Sequence, residues 1–280
     1  MYDALVIGGG PAGLQAALTL GRMHRPTLLL DSGSYRNAPA AATHNVLTND
    51  GRHPAEFRAL VRAELAAYDD VEVRDVAAAS VADGQDGTLS VTLDDDSVVA
   101  GRTLVLATGL RDVIPDIPGY AEQWGRSVHM CPYCDGHEVA GRRVAVEESE
   151  GAPHVATMLS PIAGSVEVVP TVTGVEMTSE GLHVCSDSGK VVVDALFTHP
   201  DFEQAAPFAS QLGLEMRESG CVAINVFGHT SMPGVFAGGD LAHVEDLPMS
   251  VQSVLAAAYA GQVAAASALR DLVMPEVESD

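Results

Sequence analysis

The feature that most constrains the fold is a glycine-rich turn between an apolar strand and a helix at the start of the chain. Tyr2 to Ile7 is a short apolar run typical of a strand, and Leu14 to His24 has helical spacing. Between them lies Gly8-Gly9-Gly10-Pro11-Ala12-Gly13, a Gly-x-Gly-x-x-Gly turn. In such a turn the first glycine permits the tight bend, the second lets the backbone approach a pyrophosphate and the third lets the helix pack on the strand. The segment therefore predicts a dinucleotide site at the N-terminus of a helix.

Three later segments support this prediction. A second strand, Thr27 to Leu30, ends in Asp31, and an acid at that strand end is placed for the ribose hydroxyls of an adenine nucleotide. Leu104 to Gly109 is typical of a buried strand with small residues at its exit, where a cofactor can lie against the backbone. Gly238-Gly239-Asp240 likewise places small residues at the end of a later strand, and its aspartate can bond a ribityl hydroxyl and a phosphate.

The region between the second strand and the next predicted helix is loop-like. Within Gly33 to Gly51, Arg36, His44 and Asn45 are polar side chains that could reach a cofactor. Ordinary loop polarity explains them equally well, because loops carry both roles.

A cysteine pair lies far downstream of the glycine turn, in Cys131-Pro132-Tyr133-Cys134-Asp135-Gly136. Two cysteines three positions apart on one helical turn can bring their sulfurs together and close a small disulfide. A thiol in such a pair often has a lowered pKa, and its thiolate is the form that attacks disulfides. Asp135 follows directly and could move a proton to or from a departing sulfur.

Other roles for the cysteines are less favoured. With a strand beginning at Tyr2 we expect no export signal and a cytoplasmic location, where structural disulfides are unusual. His129 and His137 crowd the same segment as the pair, so the ligand spacing does not favour zinc and no metal is expected. Cys185 and Cys221 stand alone in apolar stretches and are expected to be packing residues.

The segment from Asp116 to about Gly220 is expected to form a second domain. Arg142 to Val146 predicts its first strand, after which a second glycine-rich turn should follow, but the chain continues Glu147-Glu148-Ser149-Glu150-Gly151-Ala152. Three carboxylates thus stand where a pyrophosphate would sit, and two like charges ~4 Å apart repel by about 1 kcal/mol in water and about 4 kcal/mol at an effective dielectric of ~20. Pro170 to Thr173, after the next strand, contains no arginine to hold a 2′-phosphate. We expect a Rossmann-derived domain that cannot bind NADPH in the usual way.

Charge and hydropathy exclude some partners. The 280 residues include 38 acids and 15 arginines or lysines, for a net charge of −23, so nucleic acid and anionic membranes would be repelled. The chain from Ser250 to Leu272 is expected to form the last helix, and its alanine-rich stretch from Val254 to Leu269 predicts a buried helix and not a membrane span. The acidity is explained by solubility, or else by a basic partner or cationic substrate, and the sequence leaves both open.

With these motifs in order, the chain resembles the low-molecular-weight thioredoxin reductase family over essentially its whole length. The resemblance implies an α/β fold of two Rossmann-like three-layer domains. A discontinuous FAD domain, residues 1–112 and 223–280, would be interrupted by a shortened pyridine-nucleotide-type domain, residues 113–222, that carries the cysteines. It also implies a homodimer.

The resemblance assigns roles to particular residues. Cys134 would face the flavin, Cys131 would exchange with substrate, and Asp135 would match the acid of the family. Candidate cofactor-binding residues, from the motifs and their surroundings, are Gly8, Gly10, Pro11, Ala12, Gly13, Asp31, Arg36, Asn45, Ala77, Thr108, Gly109, Gly239, Asp240 and Gln252.

In lacking the usual nicotinamide motif, the chain is similar to two branches of the family. In flavin-dependent dithiol oxidases, which often carry Cys-Pro-Tyr-Cys, a small dithiol passes electrons through the cysteines to FAD and then to oxygen. In ferredoxin-linked and other NADPH-independent reductases, electrons run from a protein donor through FAD to a thioredoxin-like disulfide. The acidic surface argues against docking an acidic ferredoxin, so we favour the oxidase. A flavin-binding redox sensor without turnover is a third possibility.

Overall fold

The computed structural model describes residues 1–84 and 86–274 of the chain. The helices are α1 (Pro11–Gly21), α2 (Pro54–Leu65), α3 (Tyr120–Gln123), α4 (Pro132–Asp135), α5 (Ala152–Leu159), α6 (Phe208–Gln211) and α7 (Val254–Val273). The strands are β1 (Tyr2–Ile7), β2 (Thr27–Leu30), β3 (Val71–Arg74), β4 (Ala78–Asp83), β5 (Leu89–Leu93), β6 (Val98–Leu106), β7 (Leu110–Asp112), β8 (Val128–His129), β9 (Arg143–Glu147), β10 (Ser165–Val169), β11 (Val172–Thr178), β12 (Gly181–Ser186), β13 (Gly189–Val193), β14 (Ala195–Phe197), β15 (Phe202–Gln204), β16 (Val222–Ile224), β17 (Val235–Ala237) and β18 (Ala242–Val244).

The chain divides into two compact units. The first unit comprises Met1–Arg36, Glu56–Arg111 and Glu203–Asp280, of which residues 275–280 lie outside the description. The second unit comprises Asn37–Ala55 and Asp112–Phe202.

The first unit is built on a mixed sheet with β1 near its centre. The strand order is β3-β2-β1-β6-β5-β4, and β17 also pairs with β6. The pairs among β1, β2, β3, β6 and β17 are parallel, whereas β4, β5 and β6 pair antiparallel. Successive side chains of β1 point to opposite faces, so Leu5 and Ile7 enter one core cluster while Ala4 and Val6 enter another. A central strand that is buried on both faces is typical of α/β folds.

The second unit has three layers. Its parallel sheet has the order β10-β9-β14-β8, and a separate antiparallel sheet has the order β11-β12-β13. Val144 and Phe197 pack with Leu159 of α5 on one face of the parallel sheet. Ala145 on the other face packs with Leu182 of the antiparallel sheet. The predicted α/β architecture with two Rossmann-like parts is confirmed.

The predicted domain boundaries at 112/113 and 222/223 stay predictions, and the compact units differ from them in two places. The chain returns to the first unit at Glu203, because residues such as Phe208 and Val222 belong to a core cluster of that unit. Residues 37–55, which sequence placed with the cofactor domain, group with the cysteine segment.

The last helix begins later than its composition predicts. We expected a helix from Ser250 to Leu272, but α7 begins at Val254. Ser253 is its N-cap, and the Ser253 hydroxyl accepts a hydrogen bond from the Ala256 N–H at 3.1 Å. Gln252 therefore precedes the helix. In the described part of the chain, no helix combines the length and apolar character that a membrane crossing needs.

Candidate redox and nucleotide site

The predicted glycine turn has the geometry of a phosphate cradle. Gly8 has φ +118°, and a Cβ there would lie 2.2 Å from the Ala107 carbonyl oxygen. A Cβ on Gly13 would lie 1.8 Å from the Gly8 oxygen, so both positions require glycine. At Gly10, in contrast, nothing lies within 4 Å of the Cβ position, and α1 begins immediately after it with Pro11. The N-terminus of α1 therefore has open space beside it for an anionic group.

Two glycines at the other strand ends have left-handed backbone, which favours glycine. Gly109, after Thr108 at the end of β6, has φ +72°. Gly239 has φ +88°, and a Cβ there would lie 2.9 Å from the Ala12 Cβ. Ala77 precedes β4, and its carbonyl accepts a hydrogen bond from the Asp94 N–H at 3.0 Å. These predicted cofactor residues all lie in the first unit.

Arg36, Asp240 and Gln252 are brought together by the fold. The Arg36 guanidinium donates to Asp240 Oδ2 at 3.0 Å and to Gln252 Oε1 at 2.6 Å. The side chains of Arg36 and Asp240 are only 14% and 23% exposed. The charge-assisted pair holds the Asp240 carboxylate in one orientation, which suits a residue that must accept hydroxyl donors.

Asp31 lies at the end of β2 and is only 2% exposed. Its carboxylate accepts hydrogen bonds from the Gly33 N–H at 3.0 Å, the Tyr35 hydroxyl at 2.6 Å and the Arg62 guanidinium at 2.8 Å. Burial, and then the bond to Asp31, raises the pKa of Tyr35 to about 12. The Arg58 guanidinium lies 3.6 Å from the centre of the Tyr35 ring. Asp31, which was predicted to bind the ribose hydroxyls, is thus hydrogen-bonded to other residues of the protein.

Sequence reasoning missed the partners of Asp31. Arg58 and Arg62 are four residues apart on α2, so they share one face of that helix. This spacing could have indicated that the two arginines act together. No sequence pattern, however, indicates that their face of α2 packs against the end of β2.

Asn45 does not group with the other candidate cofactor residues. It lies in the second unit with φ +58°, and its N–H donates to Asp50 Oδ1 at 2.7 Å. The neighbouring His44 Nε2 lies 3.6 Å from Glu138 Oε1, just beyond the cysteine helix. The structure therefore places this loop beside the cysteine segment.

The cysteine pair occupies the single turn of α4. Cys131 precedes the helix with extended backbone, and its carbonyl accepts a hydrogen bond from the Cys134 N–H at 3.1 Å. The two sulfurs, both in the reduced state, lie 2.7 Å apart. The hydrogen bond that the Cys134 thiol donates lowers the pKa of Cys131 to about 7, although burial opposes the shift. Cys131 is therefore substantially thiolate near neutral pH.

Asp135 is paired with His129 beside these cysteines. His129 Nδ1 lies 3.1 Å from Asp135 Oδ1, and the two side chains are 11% and 28% exposed. The His129 ring packs tilted against Phe197, with the ring centres 5.5 Å apart. Sequence reasoning considered His129 only as a metal ligand and missed this pairing. Within the described residues, no group of three or more His, Cys, Asp or Glu side chains is placed to hold a metal ion.

Glu147, at the end of β9, has internal partners. Its Oε1 accepts the Val172 N–H at 2.9 Å and its Oε2 accepts the Thr198 hydroxyl at 2.6 Å. The Tyr120 hydroxyl donates to Thr198 at 3.0 Å, and burial raises the pKa of Tyr120 to about 12. This refines the sequence prediction of three carboxylates at a phosphate position, because Glu147 turns inward.

The remaining acids of this segment face solvent. Glu148 and Glu150 are exposed between β9 and α5. They stand in the connection where a glycine-rich turn would otherwise lead into the N-terminus of the helix.

Known proteins resemble this chain in sequence and in structure. The family model described as pyridine nucleotide-disulphide oxidoreductase matches residues 2–147. Thioredoxin reductase tcpT of Claviceps purpurea is 34% identical, with 97% of this chain and 96% of that protein covered. Thioredoxin reductase sirT of Leptosphaeria maculans is also 34% identical, over 86% and 87%.

Solved structures match over nearly the full chain. An oxidoreductase from Agrobacterium tumefaciens superposes with a TM-score of 0.86 at 30% identity, covering 98% of this chain and 99% of that one. The crystal structure of HlmI gives a TM-score of 0.86 at 31% identity, covering 97% and 92%. A putative thioredoxin reductase from Bacillus anthracis gives 0.88 at 26% identity, covering 98% and 99%.

Proposed function

The chain belongs to the pyridine nucleotide-disulphide oxidoreductase family and is a thioredoxin reductase-like enzyme, and from that premise we propose that it oxidises dithiols to disulfides without using NADPH. The proposed cofactor is FAD and the proposed electron acceptor is oxygen. The observation that carries the proposal is that the second unit keeps a thiol pair with its acid while carboxylates replace its glycine turn.

The residues of the first unit fit a flavin adenine dinucleotide. The open space at Gly10, beside the N-terminus of α1, suits the pyrophosphate. Asp31 and its partners would lie at the adenosine end, and Asp240, held by Arg36, would meet the ribityl chain. When bound, FAD would supply the acceptor for the electron pair that leaves the cysteine dithiol and would return that pair to oxygen.

The cysteines would carry out disulfide exchange. A substrate thiolate attacks the Cys131 sulfur of the oxidised pair, and the bond to Cys134 breaks with Cys134 leaving as the thiolate. The second substrate sulfur then attacks the mixed disulfide, closes the substrate disulfide and releases Cys131. Two electrons and two protons pass from the substrate to the enzyme pair in this exchange. The lowered pKa of Cys131 favours its departure, because thiols of lower pKa leave faster.

The connection between β9 and α5 argues against a pyridine nucleotide in the second unit. Glu147 turns inward and accepts two hydrogen bonds, so the argument depends on the two acids that follow it. The exposed Glu148 and Glu150 would oppose a phosphate at the N-terminus of α5, and for charges in water the repulsion at a separation of ~4 Å is about 1 kcal/mol each.

The net charge favours an oxidase that passes electrons to oxygen over a reductase that takes electrons from a protein donor. A net charge of −23 repels acidic electron carriers such as ferredoxins, whereas oxygen needs no docking surface. The names of the relatives support a second candidate, reduction of a thioredoxin-like disulfide. In that case too we propose an electron donor other than NADPH. The small-molecule dithiol, a cytoplasmic location and a homodimeric state belong to the proposal as well.

Oxygen uptake tests the proposed reaction. The purified flavoprotein, given dithiothreitol in air, should consume oxygen over many turnovers, and Cys134→Ser should abolish that uptake. Cys185→Ser is the matched control, because Cys185 lies on β12 outside the motif, and it should retain the rate. Absence of turnover in the wild type, or retained turnover in Cys134→Ser, would refute the proposal.

A further inference from the structure

His129 and Asp135 lie within ion-pairing distance of each other beside the cysteines, and the exchange described above assigns no role to the histidine. The Nδ1–Oδ1 distance is 3.1 Å. Asp135 directly follows Cys134, and its N–H donates to the Cys131 carbonyl at 3.1 Å. Its charge raises the pKa of Cys131 and so opposes the lowering.

The fold holds the His129 ring rigidly. His129 is the last residue of β8, where it is aligned with Phe197 of the parallel strand β14. Its carbonyl accepts the Thr198 N–H at 2.9 Å, and its ring packs against Phe197. A side chain that is 11% exposed and anchored in this way has little freedom to rotate.

Within the described residues, Asp135 is anchored by its backbone and by this pair. It ends the single turn of α4, where its N–H donates to the Cys131 carbonyl at 3.1 Å. A carboxylate that is 28% exposed at the end of a one-turn helix would sample several rotamers without a fixed partner. The imidazole supplies that partner.

We propose that His129 is a positioning residue that holds the Asp135 carboxyl beside the cysteine pair for proton transfer during disulfide exchange. In the step concerned, Asp135 takes the proton of the incoming substrate thiol, and the resulting thiolate attacks Cys131 Sγ. The electron pair of the Cys131–Cys134 bond leaves with Cys134 Sγ, which receives the proton from Asp135. The oxidised cysteine pair is itself the electron acceptor, so no further oxidant is needed. The inference rests on the proposed thiol chemistry but not on the identity of the final electron acceptor.

Three substitutions of His129 separate positioning from packing. Asparagine places an amide N–H close to where Nδ1 lies, glutamine moves that amide towards the Nε2 position, and leucine removes the donor altogether. The measurement is the anaerobic rate at which dithiothreitol bleaches the flavin, with thermal unfolding of each variant recorded beside it. His129→Leu and His129→Gln should slow bleaching by about 10- to 100-fold, whereas His129→Asn should stay within about threefold of the wild type.

Two further variants complete the test. His137→Leu, at an exposed histidine two residues beyond Asp135, should leave the rate unchanged. The double variant His129→Leu, Asp135→Asn should be no slower than Asp135→Asn alone, because the histidine acts through the carboxylate. Should His129→Leu fail to fold, the comparison of His129→Gln with His129→Asn still decides the question.

The possible failures are distinguishable. If dithiothreitol does not bleach the wild-type flavin, the proposed function itself fails. If it bleaches the wild type and all three His129 variants at one rate, or if asparagine is as slow as glutamine, only the positioning role of His129 is overturned.

Discussion

At the scale of single residues, the reactivity of Cys131 depends on its neighbour in the pair. The Cys134 thiol donates a hydrogen bond that lowers the pKa of Cys131 to about 7, so the thiolate fraction rises as the pH passes through that value. Cys134→Ala removes this donor, and the pKa should return towards about 8.5.

Alkylation of the reduced protein measures this shift. Iodoacetamide labelling of Cys131, followed by mass spectrometry across a pH series, should have its midpoint near pH 7 in the wild type. In Cys134→Ala the midpoint should rise by more than one unit, and labelling at pH 7 should fall by roughly tenfold. An unchanged midpoint would show that the second sulfur does not activate the first.

Arg62 is the cationic partner of a buried acid. It contacts Asp31, which is 2% exposed, and it also contacts Asp75 at 2.6 Å. Arg62→Met should lower the free energy of unfolding by about 2 kcal/mol, because a charge-assisted hydrogen bond to a buried carboxylate is lost. Urea denaturation checks this, with Arg74→Met as the control, since Arg74 pairs with the half-exposed Glu72 on the surface. Equal losses of unfolding free energy in the two variants would show that the contact of Arg62 with Asp31 contributes no more than a surface pair.

At the scale of elements, α1 and α7 cross so closely that only small residues fit. A Cβ on Gly261 of α7 would lie 1.9 Å from the Ala12 carbonyl oxygen of α1. Because Ala12 belongs to the glycine turn, displacement of α7 would disturb the phosphate cradle as well.

Gly261→Ala should therefore destabilise the protein by about 3 kcal/mol and release FAD during gel filtration, since the clash is with backbone that cannot rotate away. Gly151→Ala is the control, because nothing lies within 4 Å of its Cβ position. A stable, yellow Gly261→Ala protein would show that the helices can separate at little cost.

The elements also show what the sequence could predict. The glycine turn and the cysteine helix are local, so residues 8–13 and 131–136 could be placed from spacing alone. Arg36 lies more than 200 positions before Asp240 and Gln252 in the chain. The sequence predicted all three as cofactor-binding residues, but it could not predict the hydrogen bonds that join them. The His129–Asp135 pair was not predicted, because it depends on how the strand β8 leads into α4.

At the scale of the whole molecule, one chain combines a proposed nucleotide cradle in its first unit with a thiol pair in its second. The parallel strands of both units follow the Rossmann plan, yet only the first keeps the glycine turn. The grouping of residues 37–55 with the cysteine segment was not predicted, because loops carry no periodic signal of the unit they pack on.

The account depends most on the claim that electrons do not enter from NADPH. Anaerobic stopped-flow mixing of the FAD-loaded protein with NADPH, and separately with dithiothreitol, tests that claim directly. We predict that dithiothreitol bleaches the flavin band within the turnover time while a large excess of NADPH leaves it unchanged. Rapid bleaching by NADPH would contradict the account, because it would require a working nicotinamide site despite the exposed Glu148 and Glu150.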